Sequence, residues 1–368
     1  MQKKAGIITH YNVHNYGAQL QLYAMVQVLN ELGFEAKALT FIKNYDFMEE
    51  GLSNKYNISL KSIPFYFKYV IKNGVKRTIF NIKKKKTLDK FRKNNCLIGN
   101  FYSKADNLDV VVIGSDEIFS IEPGLNPCFW GMGVRAKRII SYAASFGPTT
   151  SSFIENHNAA GFIFGGIKTI DKILVRDRNS RDLIKQYGNK NAEIVCDPVL
   201  LYRFDLSSQS TTAKKSSKKD KKRYCLIYSY DYNMNDVATI RAIRNYSKQK
   251  RLKVYSIGYY HKWCDKNLNV DPLNVFKWFK GATMVFTDTF HGTVISLVTH
   301  TQFVTKITNN SNKLSFLLEQ YGVSNRKVNS FEELGKVTSE SIDYNAVGQT
   351  IDRIRKESMT KLEDSLNE

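Results

Sequence analysis

A histidine and a glycine occupy the corner between two hydrophobic segments in DTFHGTVISL, residues 288–297. The run before them is typical of a buried strand, and the segment after them is typical of a helix that Asp288 or Thr289 caps. At such a helix N-terminus, His291 would donate to an anion and exchange protons near neutral pH, and Gly292 leaves space at the first turn. The sequence predicts His291 as a proton-transfer residue; the alternative is a structural histidine bonded to the backbone.

Arg176 ends another hydrophobic run, in VRDRNSRD at residues 175–182. Its guanidinium presents a fork of N–H donors that matches a carboxylate or a phosphate. Asp177 is expected to orient Arg176 or to cap the next helix, and Arg178 and Arg181 are expected to face solvent. The chemistry predicted for this corner is therefore the binding of an acidic group.

A glycine-containing corner follows the first hydrophobic run, in HYNVHNYGAQLQ at residues 10–21. Gly17 would let the backbone approach a ligand closely, and the helix that follows offers free N–H groups to an anion. His14 and Asn15 add polar contacts. A simple turn is the alternative for this corner.

A further corner of this kind is GSDEIF at residues 114–119. Gly114, Ser115 and Asp116 follow a hydrophobic strand, where they form either an anion-binding nest or a plain helix cap. Asp116 is too short to act as a general base unless a proton donor lies close to it.

The hydrophobic segments between these corners predict alternating strands and helices. AGIITH (5–10) is predicted as a strand, the apolar stretch after the first corner as a helix, and FEAKALTF (34–41) as the next strand. This βαβ order favours a parallel sheet and recurs along both halves of the chain, with AEIVCDPVLLY (192–202) predicted as a further strand. Ligands of open parallel sheets bind beyond the carboxyl ends of the strands. The corners are therefore expected to line a cleft between two α/β domains, with an anionic ligand near Arg176 and His291.

The length of 368 residues and the changes in composition along the chain predict two domains with connecting segments. We predict an N-terminal Rossmann-like domain over 1–205 that carries a basic helical insertion at about 44–106. A Ser- and Lys-rich linker or loop covers 206–223, and a C-terminal Rossmann-like domain covers 224–343. The polar helical stretch 344–368 is expected to pack back on the first domain.

The chain carries a large excess of positive charge, with 55 Lys and Arg against 34 Asp and Glu and a formal net charge of +21. Such an excess favours an anionic partner: nucleic acid, an acidic membrane surface, or a phosphorylated or acidic substrate. Residues 76–93 predict a basic amphipathic surface for a membrane or a polyanion. The alternative is a helix that packs its aromatics inward and exposes its lysines. The Lys-rich stretch 207–222 lacks interleaved aromatics, so no specific nucleic-acid partner is expected.

The five cysteines are scattered without CxxC spacing, which argues against a disulfide framework and against a zinc site. No segment of the sequence has the length and apolarity of a signal peptide or of a membrane-spanning helix. We expect a cytoplasmic protein that is either soluble or attached peripherally at the inner face of the membrane. The sequence contains no Walker A motif, GxGxxG fingerprint or nucleophile elbow.

Seven short segments, taken in order, resemble the polysaccharide pyruvyl transferase family and cover most of the chain, from Gly6 to about Arg326. The segments are HNYGAQLQLYAM (14–25), DVVVIGSDEIF (109–119), SYAASFG (141–147), VRDRNS (175–180), VCDPVLL (195–201), TDTFHGTVISL (287–297) and LLEQYGVSNR (317–326). The resemblance implies a GT-B-like α/β fold of two Rossmann-like domains with an interdomain cleft.

The implied reaction moves pyruvate from phosphoenolpyruvate onto two hydroxyls of a sugar as a ketal and releases phosphate. The sugar is expected to belong to a cell-envelope polysaccharide or a lipid-linked glycan, and no metal or cofactor besides the donor substrate is expected. The family's donor-binding arginine and histidine correspond to Arg176 and His291, which we predict as the catalytic residues. The residues predicted to bind substrate are Asn15, Tyr16, Gly17, Gly114, Ser115, Asp116, Thr289, Gly292 and Lys313.

The chain departs from the family pattern at four positions. Some members have an arginine where this chain has Thr289, and an arginine often opens the helix near Lys313. The residues usual after the GSD motif are Gln and Trp, whereas this chain has Glu117 and Phe119. Thr289 reduces the number of cations available to phosphoenolpyruvate, and Lys313 is expected to supply the missing charge.

Two other functions stay open from the sequence. One is a GT-B glycosyltransferase that uses a nucleotide sugar, which an acidic ribose-binding residue in the cleft of the second domain would favour. The other is a non-catalytic protein that binds a polyanion or a membrane through 76–93 and 207–223. In that case, replacement of His291 would be harmless.

Overall fold

The computed structural model describes residues 2–42, 71, 74–206, 223–307 and 312–367 of the chain. Residues 207–222 of the linker predicted over 206–223, and residues 44–70, 72 and 73 of the predicted insertion, lie outside these ranges. The described residues form two parallel β-sheets connected by helices.

The first sheet has seven strands, which lie in the order β3-β2-β1-β4-β5-β6-β7. The strands are β1 (Lys3–Ile8), β2 (Phe34–Thr40), β3 (Ile98–Phe101), β4 (Leu108–Ile113), β5 (Ala136–Ala144), β6 (Lys172–Val175) and β7 (Glu193–Ile194). Every neighbouring pair is parallel. The strand order changes direction between β1 and β4, so the segments after these two strands lie at a topological switch point, where ligands of such sheets bind.

The second sheet has six parallel strands in the order β10-β9-β8-β11-β12-β13. The strands are β8 (Tyr224–Tyr228), β9 (Lys253–Ile257), β10 (Lys266–Leu268), β11 (Met284–Thr287), β12 (Phe303–Lys306) and β13 (Lys327–Val328). Here the order changes direction between β8 and β11. The histidine corner therefore lies at the switch point of this sheet.

Helices follow most of the strands. The α-helices are α1 (Tyr16–Glu31), α2 (Val75–Asn94), α3 (Ser151–Asn156), α4 (Ala160–Thr169), α5 (Arg178–Gly188), α6 (Pro198–Leu201), α7 (Val237–Gln249), α8 (Val275–Lys280), α9 (Phe290–Val298), α10 (Asn312–Gln320), α11 (Leu334–Val337) and α12 (Tyr344–Asn367). Short 3-10 helices cover Tyr102–Lys104, Pro127–Trp130, Pro272–Asn274, Ser324–Arg326 and Phe331–Glu333.

The two sheets share apolar contacts. One hydrophobic cluster joins Val112 and Tyr142 of the first sheet to Leu226 and Val285 of the second. Tyr16, at the start of α1, is buried and its hydroxyl lies 2.8 Å from the Val270 carbonyl oxygen of the second half. The two halves therefore pack directly on each other around the corners that carry the candidate site.

The last helix, α12, returns to the first half of the chain. Its buried positions include Ile351, Ile354 and Leu362. The Cys196 N–H donates to Ser358 Oγ over 2.9 Å, which attaches the helix beside the end of β7.

Two segments differ from their predicted structure. In the stretch 192–202, only Glu193–Ile194 pairs as a strand, because Asp197 caps a short helix that begins at Pro198. In the predicted helical insertion, α2 is helical, but Ile98–Phe101 pairs with β2 as the edge strand β3. In the first case, a proline at the first helical position favours a helix in place of the predicted strand. In the second case, the chain returns to the edge of the sheet after α2.

The predicted fold class is confirmed: the chain has two parallel sheets in two Rossmann-like α/β domains. Among the described helices, none combines the length and the apolarity that crossing a bilayer requires.

Candidate functional site

Arg176 lies directly after β6 and points into a buried cluster of charged groups. Its Nη1 donates to Asp197 Oδ2 over 3.2 Å, and its Nη2 lies 3.8 Å from Asp116 Oδ1. The guanidinium stacks on the Phe290 ring, with Cζ 4.1 Å from the ring centroid. Burial alone would lower the pKa of Arg176, but the carboxylates around it outweigh burial and raise the pKa. The guanidinium is therefore a permanent cation.

His291 reaches the same cluster from the second half of the chain. Its Nε2 lies 3.8 Å from Asp197 Oδ2, so one carboxylate oxygen is shared by the predicted catalytic residues. Thr289 caps α9 by accepting a hydrogen bond from the Gly292 N–H over 3.0 Å, which orients the first turn that carries His291. The structure thus brings Arg176 of the first half and His291 of the second half to the same carboxylate oxygen.

Gly17 packs against the His291 side chain. A Cβ atom at this position would lie 2.1 Å from His291 Cγ, well inside van der Waals contact. The absence of a side chain at Gly17 therefore sets the position of the imidazole. Asn15, which caps α1 through the Gly17 N–H over 2.8 Å, also donates to the Tyr230 hydroxyl over 3.3 Å.

Asp197 is the centre of the cluster, although it is not among the site residues predicted from the sequence. Its Oδ2 accepts from Gln21 Nε2 over 2.5 Å as well as from Arg176. Its Oδ1 accepts from the Val199 N–H over 2.9 Å at the start of α6. Asp197 thus holds the arginine, and Gln21 extends the network to α1.

Asp116 faces Arg176 from the loop after β4. Its backbone has φ of +74°, and its carbonyl oxygen accepts from the Ser145 N–H over 2.9 Å. Burial would raise the pKa of Asp116, but Arg176 and His291, with more distant cations, outweigh burial and hold the pKa below its usual value. Asp116 is therefore a carboxylate near neutral pH.

Lys313 and Glu117 form an ion pair between the two halves of the chain. Lys313 lies in the first turn of α10 in the second half, and Glu117 follows the GSD corner of the first half. Lys313 thus lies beside the cluster, where a carboxylate contacts its ammonium group.

The pKa of His291 is lowered, first because the ring is buried and then because Arg176 and Lys313 lie near it. Asp197 and Asp116 oppose this shift without cancelling it. His291 is therefore neutral near pH 7, and it is ready to accept a proton when an anion arrives.

Two buried nitrogen atoms of the cluster have no hydrogen-bond partner among the described residues: Arg176 Nε and His291 Nε2. Buried donors and acceptors normally find a partner, so such orphans need an explanation. The cavity beside Arg176 measures only about 10 Å³, and its lining includes Asp197, Phe290 and Gln320. A ligand of several heavy atoms therefore requires side chains or domains to move apart.

The other predicted site residues have local structural contacts. Gly114 has φ of +123°, and a Cβ there would lie 2.2 Å from the Tyr142 carbonyl oxygen. The buried Ser115 accepts from Thr9 Oγ1 through its carbonyl oxygen over 3.2 Å. Gly292 packs on Thr287, whose Oγ1 would lie 2.1 Å from an added Cβ. These residues shape the corners that present the charged groups.

Replacement of Gly17 by alanine is expected to lower turnover about 100-fold, because the added methyl group displaces the His291 ring by an ångström or more. The matched control is Gly161→Ala, a helical glycine in α4 whose added Cβ would meet nothing within 4 Å. Steady-state kinetics of the two variants, with urea unfolding as a check on folding, measures the difference. Equal turnover in the two variants would show that the ring position does not matter.

Comparison with known proteins gives one family and several distant structures. The family model for polysaccharide pyruvyl transferase matches residues 15–311. No curated protein sequence matches the chain. The UDP co-structure of S. aureus MnaA aligns at a TM-score of 0.50 and 10% identity over 98% of this chain and 91% of that one.

Two further solved structures align at lower TM-scores. The Spinosyn rhamnosyltransferase SpnG aligns at a TM-score of 0.47 and 11% identity over 99% of this chain and all of the other. For a mutant of the Thermobaculum terrenum O-GlcNAc transferase, the TM-score is 0.43 and the identity 11%, and the alignment covers 99% of this chain but only 66% of that one. The structural likeness concerns the GT-B-like fold alone, whereas the family model spans most of the sequence. The chain belongs to the polysaccharide pyruvyl transferase family.

Proposed function

We propose that this protein transfers pyruvate from phosphoenolpyruvate onto two hydroxyls of one sugar as a ketal. C2 of the donor forms two C–O bonds and loses its bond to the phosphate oxygen, while the C2=C3 double bond becomes single as C3 gains a proton and becomes a methyl group. Of the two protons that leave the sugar hydroxyls, one balances the proton gained at C3 and the other leaves with phosphate. The observation that carries the proposal is the approach of Arg176 and His291, from two domains, to one oxygen of Asp197.

The donor anion is proposed to bind at Arg176. The contact to Asp116 is the longer of its two ion pairs, 3.8 Å against 3.2 Å, and the guanidinium Nε has no partner among the described residues. A phosphate or carboxylate that replaces Asp116 would gain a bidentate fork while Asp197 continues to hold Nη1. Release of Lys313 from Glu117 would then supply a further cation.

His291 is proposed to carry the protons of the reaction. In the neutral ring, the nitrogen that has no partner among the described residues accepts a proton from a sugar hydroxyl, and the protonated ring then donates a proton to the leaving phosphate. Arg176 holds the donor in line and stabilises the charge that develops on it. We propose that no metal or other cofactor takes part.

Binding of phosphoenolpyruvate is expected to take up a proton at His291. The free histidine has a lowered pKa, and a dianion beside it raises that pKa, so affinity increases as pH falls from the raised value to the lowered one. Calorimetry in buffers of different ionisation enthalpy measures this uptake. His291→Gln is the control, and uptake that persists in that variant would assign the proton to another group.

The donor class is tested by calorimetric titration of the wild type with phosphoenolpyruvate and with a panel of UDP-, GDP- and CMP-linked sugars. We expect saturable binding of phosphoenolpyruvate and none of the nucleotide sugars. The competing function is a glycosyltransferase, and the presence of UDP in the S. aureus MnaA structure is the reason to include uridine nucleotides. Saturable binding of a nucleotide sugar without phosphoenolpyruvate binding would favour that function.

The acceptor is proposed to be a sugar of a lipid-linked or polymeric cell-envelope glycan, bound beside the Tyr230–Tyr232 pair. The two rings are parallel, with centroids 5.6 Å apart, and Tyr232 is 73% exposed. The Tyr230 hydroxyl bonds to Asn15 at the edge of the charged cluster. An aromatic face with a polar end suits a sugar ring. A lipid-borne acceptor would place the enzyme in the cytoplasm at the inner face of an anionic membrane.

A further inference from the structure

Helix α2 exposes an apolar stripe on the described surface. Of the eight large hydrophobic residues that are exposed there, four lie on α2 or just before it: Ile71 (73%), Val75 (63%), Ile79 (47%) and Ile82 (52%). Val75, Ile79 and Ile82 are spaced four and three residues apart within α2, which places them on one side of the helix. Such a concentration of exposed aliphatic side chains needs a partner.

The opposite side of α2 already packs on the protein. Phe80, Lys84, Leu88 and Phe91 are buried, and at 3.6 residues per turn they lie about half a turn around the helix from Val75, Ile79 and Ile82. The exposed stripe therefore points outward. Exposed lysines share the outward side with the stripe: Lys76, Lys83, Lys86 and Lys90.

Helix α2 also lies beside the candidate site. Near its C-terminus, Arg92 Nη1 donates to Gln19 Oε1 over 3.1 Å and to the Tyr11 carbonyl oxygen over 3.3 Å. Near its N-terminus, Arg77 Nε donates to Asp231 Oδ2 over 2.9 Å. Tyr11 and Asp231 belong to the loops that follow β1 and β8 at the two switch points. The helix thus connects both domains at the edge where their sheets present the site.

We propose that the outward face of α2, formed by Val75, Ile79, Ile82 and the lysines around them, docks on an anionic bilayer. The aliphatic side chains would enter the headgroup region while the lysines contact anionic headgroups. A dissolved polyanion would pair with the lysines but leave the aliphatic stripe in water, so a bilayer accounts for both features. The proposal rests on the proposed function only in assuming a lipid-linked acceptor, which docking at this position would bring to the site.

The test is co-sedimentation of the full chain with phosphatidylcholine vesicles, with and without phosphatidylglycerol. We expect binding only to the anionic vesicles, reduced about tenfold by Ile79→Ser with Ile82→Ser and about tenfold by Lys83→Gln with Lys86→Gln. Lys336→Gln with Lys356→Gln removes the same charge elsewhere, and Val237→Ser removes an exposed apolar group elsewhere. Both controls are expected to bind as the wild type does.

Three results would overturn the docking proposal. In the first, both α2 variants bind anionic vesicles as tightly as the wild type. In the second, the control variants lose as much vesicle binding as the α2 variants. In the third, the wild type binds heparin but not vesicles, and the isoleucine substitutions do not change heparin binding. Self-association that the isoleucine variants abolish, without vesicle binding, would assign the face to a second copy instead. Phosphoenolpyruvate titration of the same proteins separates the two proposals. A wild-type protein that does not bind phosphoenolpyruvate would contradict the proposed reaction, but it would not alter the result with vesicles.

Discussion

Replacement of Arg176 by alanine is expected to lower the affinity for phosphoenolpyruvate by at least about 100-fold, because a hydrogen bond to a charged group contributes roughly 1.5–3 kcal/mol and the fork makes two. Arg176→Lys keeps the charge but loses the bidentate geometry, and it is expected to retain part of the affinity. Calorimetric titration of the purified variants measures both effects.

The neighbouring arginine provides a matched control for this experiment. Arg178 is largely exposed and pairs with Glu319 on α10 over 3.1 Å, so Arg178→Ala is expected to bind the donor normally. Arg176→Ala also leaves Asp197 as a buried carboxylate without its cation, which costs about 3–5 kcal/mol of stability. Thermal unfolding therefore accompanies the titration. A folded Arg176→Ala protein that binds phosphoenolpyruvate as tightly as the wild type would remove this residue from the donor site.

Replacement of His291 by glutamine is expected to lower turnover about 1,000-fold while affecting donor affinity much less, since general acid–base catalysis contributes roughly 10²–10⁴-fold. Glutamine fills a similar volume and keeps a hydrogen-bond donor, but it cannot move a proton at neutral pH. Phosphate release from phosphoenolpyruvate in the presence of acceptor glycan measures turnover.

His157→Gln is the control for the histidine experiment. His157 is only partly buried, its Nδ1 lies 2.8 Å from the Phe153 carbonyl oxygen, and it belongs to the first domain. Wild-type turnover is expected in this variant. Wild-type turnover in His291→Gln as well would indicate that His291 has a structural role. It would also favour the alternative hypothesis that the protein binds anions without catalysis.

The sequence is sufficient to predict the corners of the site, because each joins a hydrophobic run to a residue with a specific conformational or chemical property. Gly17, Arg176 and His291 follow strands whose apolar runs are easy to recognise, and parallel sheets bring such ends to one edge. Their meeting in space follows from this rule once two domains are assigned. The fold class and the pairing of the two catalytic predictions can therefore be reached without coordinates.

Asp197 shows where the sequence is insufficient. It lies within VCDPVLL, an apolar stretch that hydrophobic periodicity assigns to a strand. Asp followed by Pro is a helix-start signal and could have located the N-cap. The convergence of Gln21, Arg176 and His291 on this carboxylate depends instead on how the two domains pack together. That packing cannot be predicted from a local sequence pattern.

The basic segment 76–93 could likewise be predicted only in part from the sequence. Its amphipathic character is visible in the sequence, but the choice between a packed helix and an exposed surface is not. The structure contains both: Lys84 lies 4.5 Å from the centroid of the Tyr259 ring and Arg92 is buried against α1, whereas the other side of α2 is exposed. Net charge alone therefore overstates how much of this helix is free to bind a partner.

The central claim is that Arg176 and His291, carried by separate domains, bind the same molecule of phosphoenolpyruvate. Its most direct test is a crystal structure of the complex with that donor. We predict that the ligand lies between the domains, with an anionic group within hydrogen-bond distance of the Arg176 guanidinium and another polar atom within reach of His291 Nε2. A ligand bound outside this cluster, or one that contacts only one of the two residues, would contradict the account.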